Sequence, residues 1–143
     1  MLVFRMHAAT HPAFDTMGAF LHPGRWHTAG TRVVYAAGHV SLAVLETLIH
    51  AGGRKLPPRV ITQIDIPDDL SIEATSWLDS PASQAYGDAW VAEQRSAVLK
   101  VPSIAVNRME SNFVFNPAHP DFLKITHTKP QPFAFDPRFI LFP

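Results

Sequence analysis

LAVLETLIH, residues 42–50, decides how this chain is read, because an acid sits where a fold wants hydrocarbon. At helical spacing Leu42, Leu45 and Ile49 form one apolar stripe, and Glu46 falls in the middle of it. Burying an isolated carboxylate costs several kcal/mol unless it is paired, hydrogen-bonded or protonated. Two reasons can justify that cost: a structural ion pair with an arginine, or a functional acid in a cleft. Ser41 is placed to cap the helix, and Gly52-Gly53 to close it after Ala51.

Outward from this helix, Arg32–Ala36 (RVVYA) reads as a strand that turns at Gly38, and Leu2–Met6 as an earlier one. Arg59–Ile66 (RVITQIDI) alternates apolar and polar residues, the pattern of a half-buried strand. Ser80-Pro81 opens a longer helix, from about Ala82 to Leu99. Short strands are expected at Ser103–Val106, Phe113–Phe115, Leu123–Thr126 and Phe139–Leu141, in a C-terminal third punctuated by proline. No repeat and no linker interrupts the 143 residues, so the expectation is one α+β domain over 1–143.

Composition narrows the function. Apolar residues make up 47% and charged ones 17%, which favours a compact fold over disorder. Twelve basic residues balance twelve acidic ones, without the cationic excess that displaces phosphate counterions in nucleic-acid binding. The absence of cysteine excludes disulfides, thiolate zinc sites and a cysteine nucleophile. No signal-like start and no membrane-length apolar run is present, so a cytoplasmic location is expected.

The polar residues offer several candidates. Gly24-Arg25-Trp26 precedes the RVVYA strand; Arg25 is either a surface side chain stacked on Trp26 or an anion clamp, since guanidinium bonds phosphate in a bidentate way. Arg5, in the first strand, is a second clamp candidate, and Tyr35 faces either a cleft or the core. Asn116, between Phe115 and Pro117, is either part of a rigid turn or an amide presented to a ligand. The histidine pairs His22/His27, His7/His11 and His119/His127 match no zinc signature, and no metal is expected. GxSxG, GxxxxGK[ST] and GxGxxG are all absent, so a bound nucleotide would need another arrangement.

Taken in order, GRW, GTRVVYAA, SLAVLETLIHAG, VPS and NFVFNPAHPDF resemble the RES domain, named for an arginine, a glutamate and a serine, from Arg5 to about Phe135. Where the family often carries GGRW, this chain reads PGRW with Pro23, which leaves the arginine in place. The resemblance implies a fold like that of ADP-ribosyltransferases of the diphtheria-toxin kind, a small split β-sheet core flanked by helices. It implies a bacterial toxin that consumes NAD+ by hydrolysis, phosphorolysis or ADP-ribose transfer to a host protein. It also implies a cognate Xre-type antitoxin that covers the active site and itself makes the DNA contact.

By motif, Arg25 and Glu46 are the family arginine and glutamate, and Tyr35 the tyrosine that stacks on nicotinamide. Ser103 in VPS is the first choice for the serine and Ser111 the second. Arg5, Trp26 and Asn116 join Ser111 as expected binding residues. Two other classes compete with this reading. One is a catalytically silent binding module, disfavoured because the site residues are present; the other is an RNA-directed toxin, disfavoured by the neutral charge.

Overall fold

A computed structural model describes residues 1–139. Its centre is an eight-stranded, curled mixed sheet. The strands are β1 (Leu2–Ala8), β2 (Val34–Ala37), β3 (Arg59–Asp65), β4 (Ile72–Ala74), β5 (Val98–Pro102), β6 (Ser111–Phe115), β7 (Thr126–His127) and β8 (Gln131–Phe133). Their order is β4-β5-β6-β2-β1-β3-β7, with β8 also pairing β3. Among the described residues only β4–β5 is parallel. The α-helices among the described residues are α1 (Met17–Leu21), α2 (Val40–Ala51) and α3 (Ala82–Ala92).

Alternation along the strands sorts the core to two faces. Val3, Val34, Ala36, Ile64, Phe113 and Phe115 pack on one face beneath Phe14 and Phe122. Val33, Leu99, Val101 and Val114 pack on the other with Trp26 and Trp90. Alongside them Ala37, Leu42 and Ala43 meet Phe4 and Met6, which seats α2. Val98 and Leu99 of β5 and Phe113–Phe115 of β6 are therefore buried on both faces, and these stretches run continuously apolar for that reason.

One junction in the sheet is narrow. β1 pairs β3 over its whole length, from Leu2–Asp65 to Ala8–Arg59. It pairs β2 through Phe4–Ala37 alone. Beyond that pair the Arg5 guanidinium donates to the Tyr35 carbonyl at 2.9 Å. The sheet is thus split between β1 and β2, and the cleft opens over the split.

Several local expectations are corrected. The helix from Ala82 ends at Ala92, and Gln94 takes a left-handed conformation (φ 49°). The stretch Val98–Pro102 is a strand, because β4 and β6 flank it and Val98, Leu99 and Val101 are fully buried. Ile104–Val106 is a single 3-10 turn rather than a strand, and Ser103 stands just before it. Pro120–Lys124 is also a 3-10 turn, which the His119 side chain caps by accepting from the Asp121 amide. Only Thr126–His127 of that region is extended. Pro137–Phe139 is a further turn, and the rest of the strand expected at Phe139–Leu141 lies outside the described residues. In α2 the cap position is His39 rather than Ser41, while Gly52 closes the helix in the left-handed region (φ 57°). The buried side of α2 is Leu42, Ala43 and Val44; Leu45 and Ile49 are exposed. The expected apolar stripe is therefore rotated, and Glu46 sits at the edge of the buried side.

Candidate active site

A cleft of about 850 Å³ lies between α2, the Gly24–His27 loop and the split in the sheet. Glu46 projects into it from α2 and is half-buried. Its Oε1 accepts from Ser103 Oγ and from Asn112 Nδ2, each at 2.7 Å. Among the described residues Oε2 receives no hydrogen bond, and no arginine pairs with this carboxylate. Of the two reasons for an acid in this helix, the structural ion pair is thus ruled out. Two neutral donors fix one oxygen and leave the other to the cleft.

The donors come from different parts of the fold. Ser103 follows β5 and is 1% exposed; its amide donates to the Glu110 carbonyl, and its carbonyl accepts from Arg108 N. Asn112 lies on β6, paired with Ala37 on one side and Val101 on the other. Asn112 was not among the sequence candidates. The sequence signal for it is a polar side chain at the start of the apolar run SNFVF.

The Arg25 loop is held from several sides. Ser83 Oγ donates to the Arg25 carbonyl at 2.6 Å, and Gln84 Nε2 to the Gly24 carbonyl at 3.0 Å. Gly87 of α3 comes so close that a Cβ there would lie 1.7 Å from the Trp26 carbonyl oxygen. Below the loop, His27 Nε2 faces the Ala19 and His22 carbonyls, which makes it the protonated nitrogen. His27 Nδ1 therefore accepts from the Tyr35 hydroxyl at 2.7 Å, and that hydroxyl in turn accepts from Trp26 N. Burial raises the Tyr35 phenol above its ordinary value, so it stays a neutral donor.

Arg25 itself is exposed and does not stack on Trp26. Its Cζ lies 4.8 Å from the Trp77 ring centroid, and Arg108 approaches the same ring at 5.2 Å. Trp26 is 2% exposed and belongs to the core, edge-on to Tyr86. It still borders the cleft.

The charge around Glu46 is lopsided although the chain is neutral. Arg5, Arg25, Arg54, Lys55 and Arg59 line the cleft against Asp15 and Glu46. Burial pushes Arg5 down to about 10, Asp15 opposing the shift, and its Nε is buried with no partner. The neighbouring His7 is buried, with Nε2 at 2.9 Å from Thr62 Oγ1 and Nδ1 near the Ala8 carbonyl. Burial and then the charge of Arg5 lower its pKa. A cleft with this balance suits a ligand bearing phosphates and one centre of developing positive charge.

The structure thus brings Arg5, Arg25, Trp26, Tyr35, Glu46 and Ser103 to one cleft. Two expected residues lie elsewhere. Asn116 is fully buried, its Oδ1 accepting from Ala118 N and its Nδ2 facing the Val91 carbonyl, so its amide is used in the turn. Ser111 lies outside this cleft, beside Gly38, whose amide its carbonyl accepts. Among the described residues no cluster of three metal-ligating side chains forms.

Fold and site define a class: a split-sheet α+β domain with one anchored carboxylate in a cationic cleft. The chain belongs to the RES domain family, which matches residues 2–136. It is 36% identical to the Prs ADP-ribosylating toxin of Sphingobium sp. over 93% of this chain and 91% of that protein. It is 34% identical to Toxin Res of Photorhabdus laumondii over 98% and 97% of the two chains. It is also 36% identical to Toxin Res of Yersinia enterocolitica over 85% and 86%. In fold it matches a chain of the M. tuberculosis MbcT-MbcA toxin-antitoxin complex with a TM-score of 0.76. That match has 16% identity and covers 93% of this chain and 84% of the other. Among the described residues no helix is long and apolar enough to cross a membrane.

Proposed function

We propose that this protein is the toxin of a toxin–antitoxin pair and that its cleft cleaves the nicotinamide–ribose bond of NAD+, working in the cytoplasm. The observation that carries the reading is Glu46, held on one oxygen by Ser103 and Asn112 in a cleft otherwise rich in cations. As the glycosidic bond breaks, its electron pair leaves with nicotinamide and discharges the pyridinium. Positive charge passes to the ribose, in a state like that of glycoside cleavage. A fixed carboxylate whose second oxygen faces the cleft stabilises that charge without having to reorient. Water then bonds through its oxygen to the anomeric carbon and gives up a proton, or orthophosphate takes the same place.

In this reading Arg25 and Arg5 hold the pyrophosphate, and Tyr35 presents its ring to the nicotinamide. The Tyr35 hydroxyl, bonded to His27 and Trp26, positions rather than reacts. The name of the Sphingobium relative favours a second reading of the acceptor, a side chain of an essential host protein that receives ADP-ribose. The names of the relatives, and the complex in which the fold recurs, support an antitoxin partner over the cleft, of the Xre type that the motifs imply.

The test is NAD+ consumption by the purified chain freed of its partner, beside Arg25→Ala and Glu46→Gln. Nicotinamide release that requires both residues supports the reading. ADP-ribose or its phosphorylated form names the acceptor, and labelled NAD+ in lysate reveals protein transfer. Undiminished NAD+ in both assays would leave a silent binding module.

A further inference from the structure

Arg59 lines the cleft but has no part in holding the pyrophosphate, the nicotinamide or Glu46 in the reading above. It lies opposite Ala8 on β3, three residues along β1 from Arg5. At the rise of a strand, that separates the two backbones by about 10 Å. By alternation Arg59 shares a face with Met6 and Ala8, and it lines the same cleft. Its Nε is buried without a hydrogen-bond partner, as is that of Arg5.

Other cations line the cleft with Arg59. Arg54 and Lys55, which follow α2 and lead into β3, are among its lining residues. Arg54 donates through Nε to the Ala51 carbonyl and through Nη2 to that of His50, which fixes its guanidinium at the helix end. Among the described residues the ion pairs engage the N-terminus, His11, His39, Arg95, Lys124 and Arg138. None of the cleft's arginines or its lysine is in one. A half-buried guanidinium whose Nε is an open buried donor, in a cleft whose other arginines and lysine form no ion pair, is organised for an anion with several acceptor oxygens.

We infer that Arg59, with Arg54 and Lys55, forms a second phosphate subsite in the cleft, carried by β3 and the segment after α2 rather than by the Arg25 loop. A phosphate monoester on the ligand fits it, as on the adenosine 2′-hydroxyl of a phosphorylated nicotinamide dinucleotide, and so does free orthophosphate. The subsite stands on the geometry of Arg59; only the dinucleotide source rests on the proposed function.

The experiment is calorimetric binding to the Glu46→Gln protein, alone and combined with Arg59→Gln or Arg59→Lys. The titrants are NAD+, its 2′-phosphorylated form and orthophosphate. Charge-assisted bonds from a guanidinium predict a preference for the 2′-phosphorylated form of about tenfold or more. Arg59→Gln is expected to erase that preference with NAD+ affinity unchanged, and Arg59→Lys to retain part of it. Equal affinity for both dinucleotides, with orthophosphate binding that needs Arg59, assigns the subsite to the free ion. Orthophosphate binding that needs Arg59 in a protein that binds neither dinucleotide keeps the subsite and overturns the dinucleotide reading of the cleft. Binding of all three titrants unaltered by Arg59→Gln overturns the subsite while leaving that reading standing.

Discussion

Removing either donor to Glu46 should slow turnover more than it weakens binding or folding. Ser103 Oγ and Asn112 Nδ2 both reach Oε1 at 2.7 Å, short enough for charge-assisted bonds. Such a bond contributes about 1.5–3 kcal/mol net. Where orientation of the carboxylate is expressed only in the transition state, losing one bond lowers kcat by about ten- to a hundredfold with KM nearly unchanged. Ser103→Ala and Asn112→Ala each leave the other donor in place, so each single variant keeps a partly oriented acid. The double variant leaves Oε1 without a protein donor, and the two effects should not add. The assay is nicotinamide release at saturating and at low NAD+ for the four proteins, with thermal melts to confirm folding. Single variants that melt normally and turn over within twofold of the parent would refute the claim that anchoring matters.

Three further outcomes are expected. Trp77→Leu should raise KM for NAD+ by about two- to fivefold with kcat held, the equivalent of an exposed cation–π contact to Arg25, and Trp77→Phe should recover most of it; an unchanged KM would refute the contact. Gly87→Ala should cost about 1–3 kcal/mol, read as the urea midpoint, because its Cβ would overlap the Trp26 carbonyl. His7 has a pKa below its ordinary 6.5, so the unfolded chain takes up its proton first as the pH falls. Its contribution to stability is complete above about 6.5 and is lost below it, so His7→Gln should flatten the fall in Tm between pH 7.5 and 5. A slope as steep as that of the parent would sink this account.

Elements carried by local pattern are legible in the sequence. RVITQIDI alternates and pairs along all of β1, and Gly52 stops α2 because it alone accepts the left-handed turn there at low cost. The boundary between α3 and β5 was not legible. No glycine or proline stands between Ala92 and Val98, and what makes Val98–Pro102 a strand is its place between β6 and β4, the latter on the other side of α3 in the chain. The same limit applied to the site. Glu46 and Ser103 announced themselves by motif, whereas Asn112 did not, because only the pairing of β6 with β2 and β5 carries it beneath α2.

The sequence by itself determined the α+β class, the anomalous acid in an apolar helix and the family motifs around it. Those are properties of neighbours along the chain, set by periodicity and residue chemistry. Tertiary structure alone decided what Glu46 binds, that Trp77 rather than Trp26 receives Arg25, and that Asn116 serves a turn. It also gathered the cations of a neutral chain into one cleft at the split between β1 and β2. Composition averages charge over the whole molecule, while a ligand meets only the side chains that strand pairing and helix packing place within a few ångströms of it.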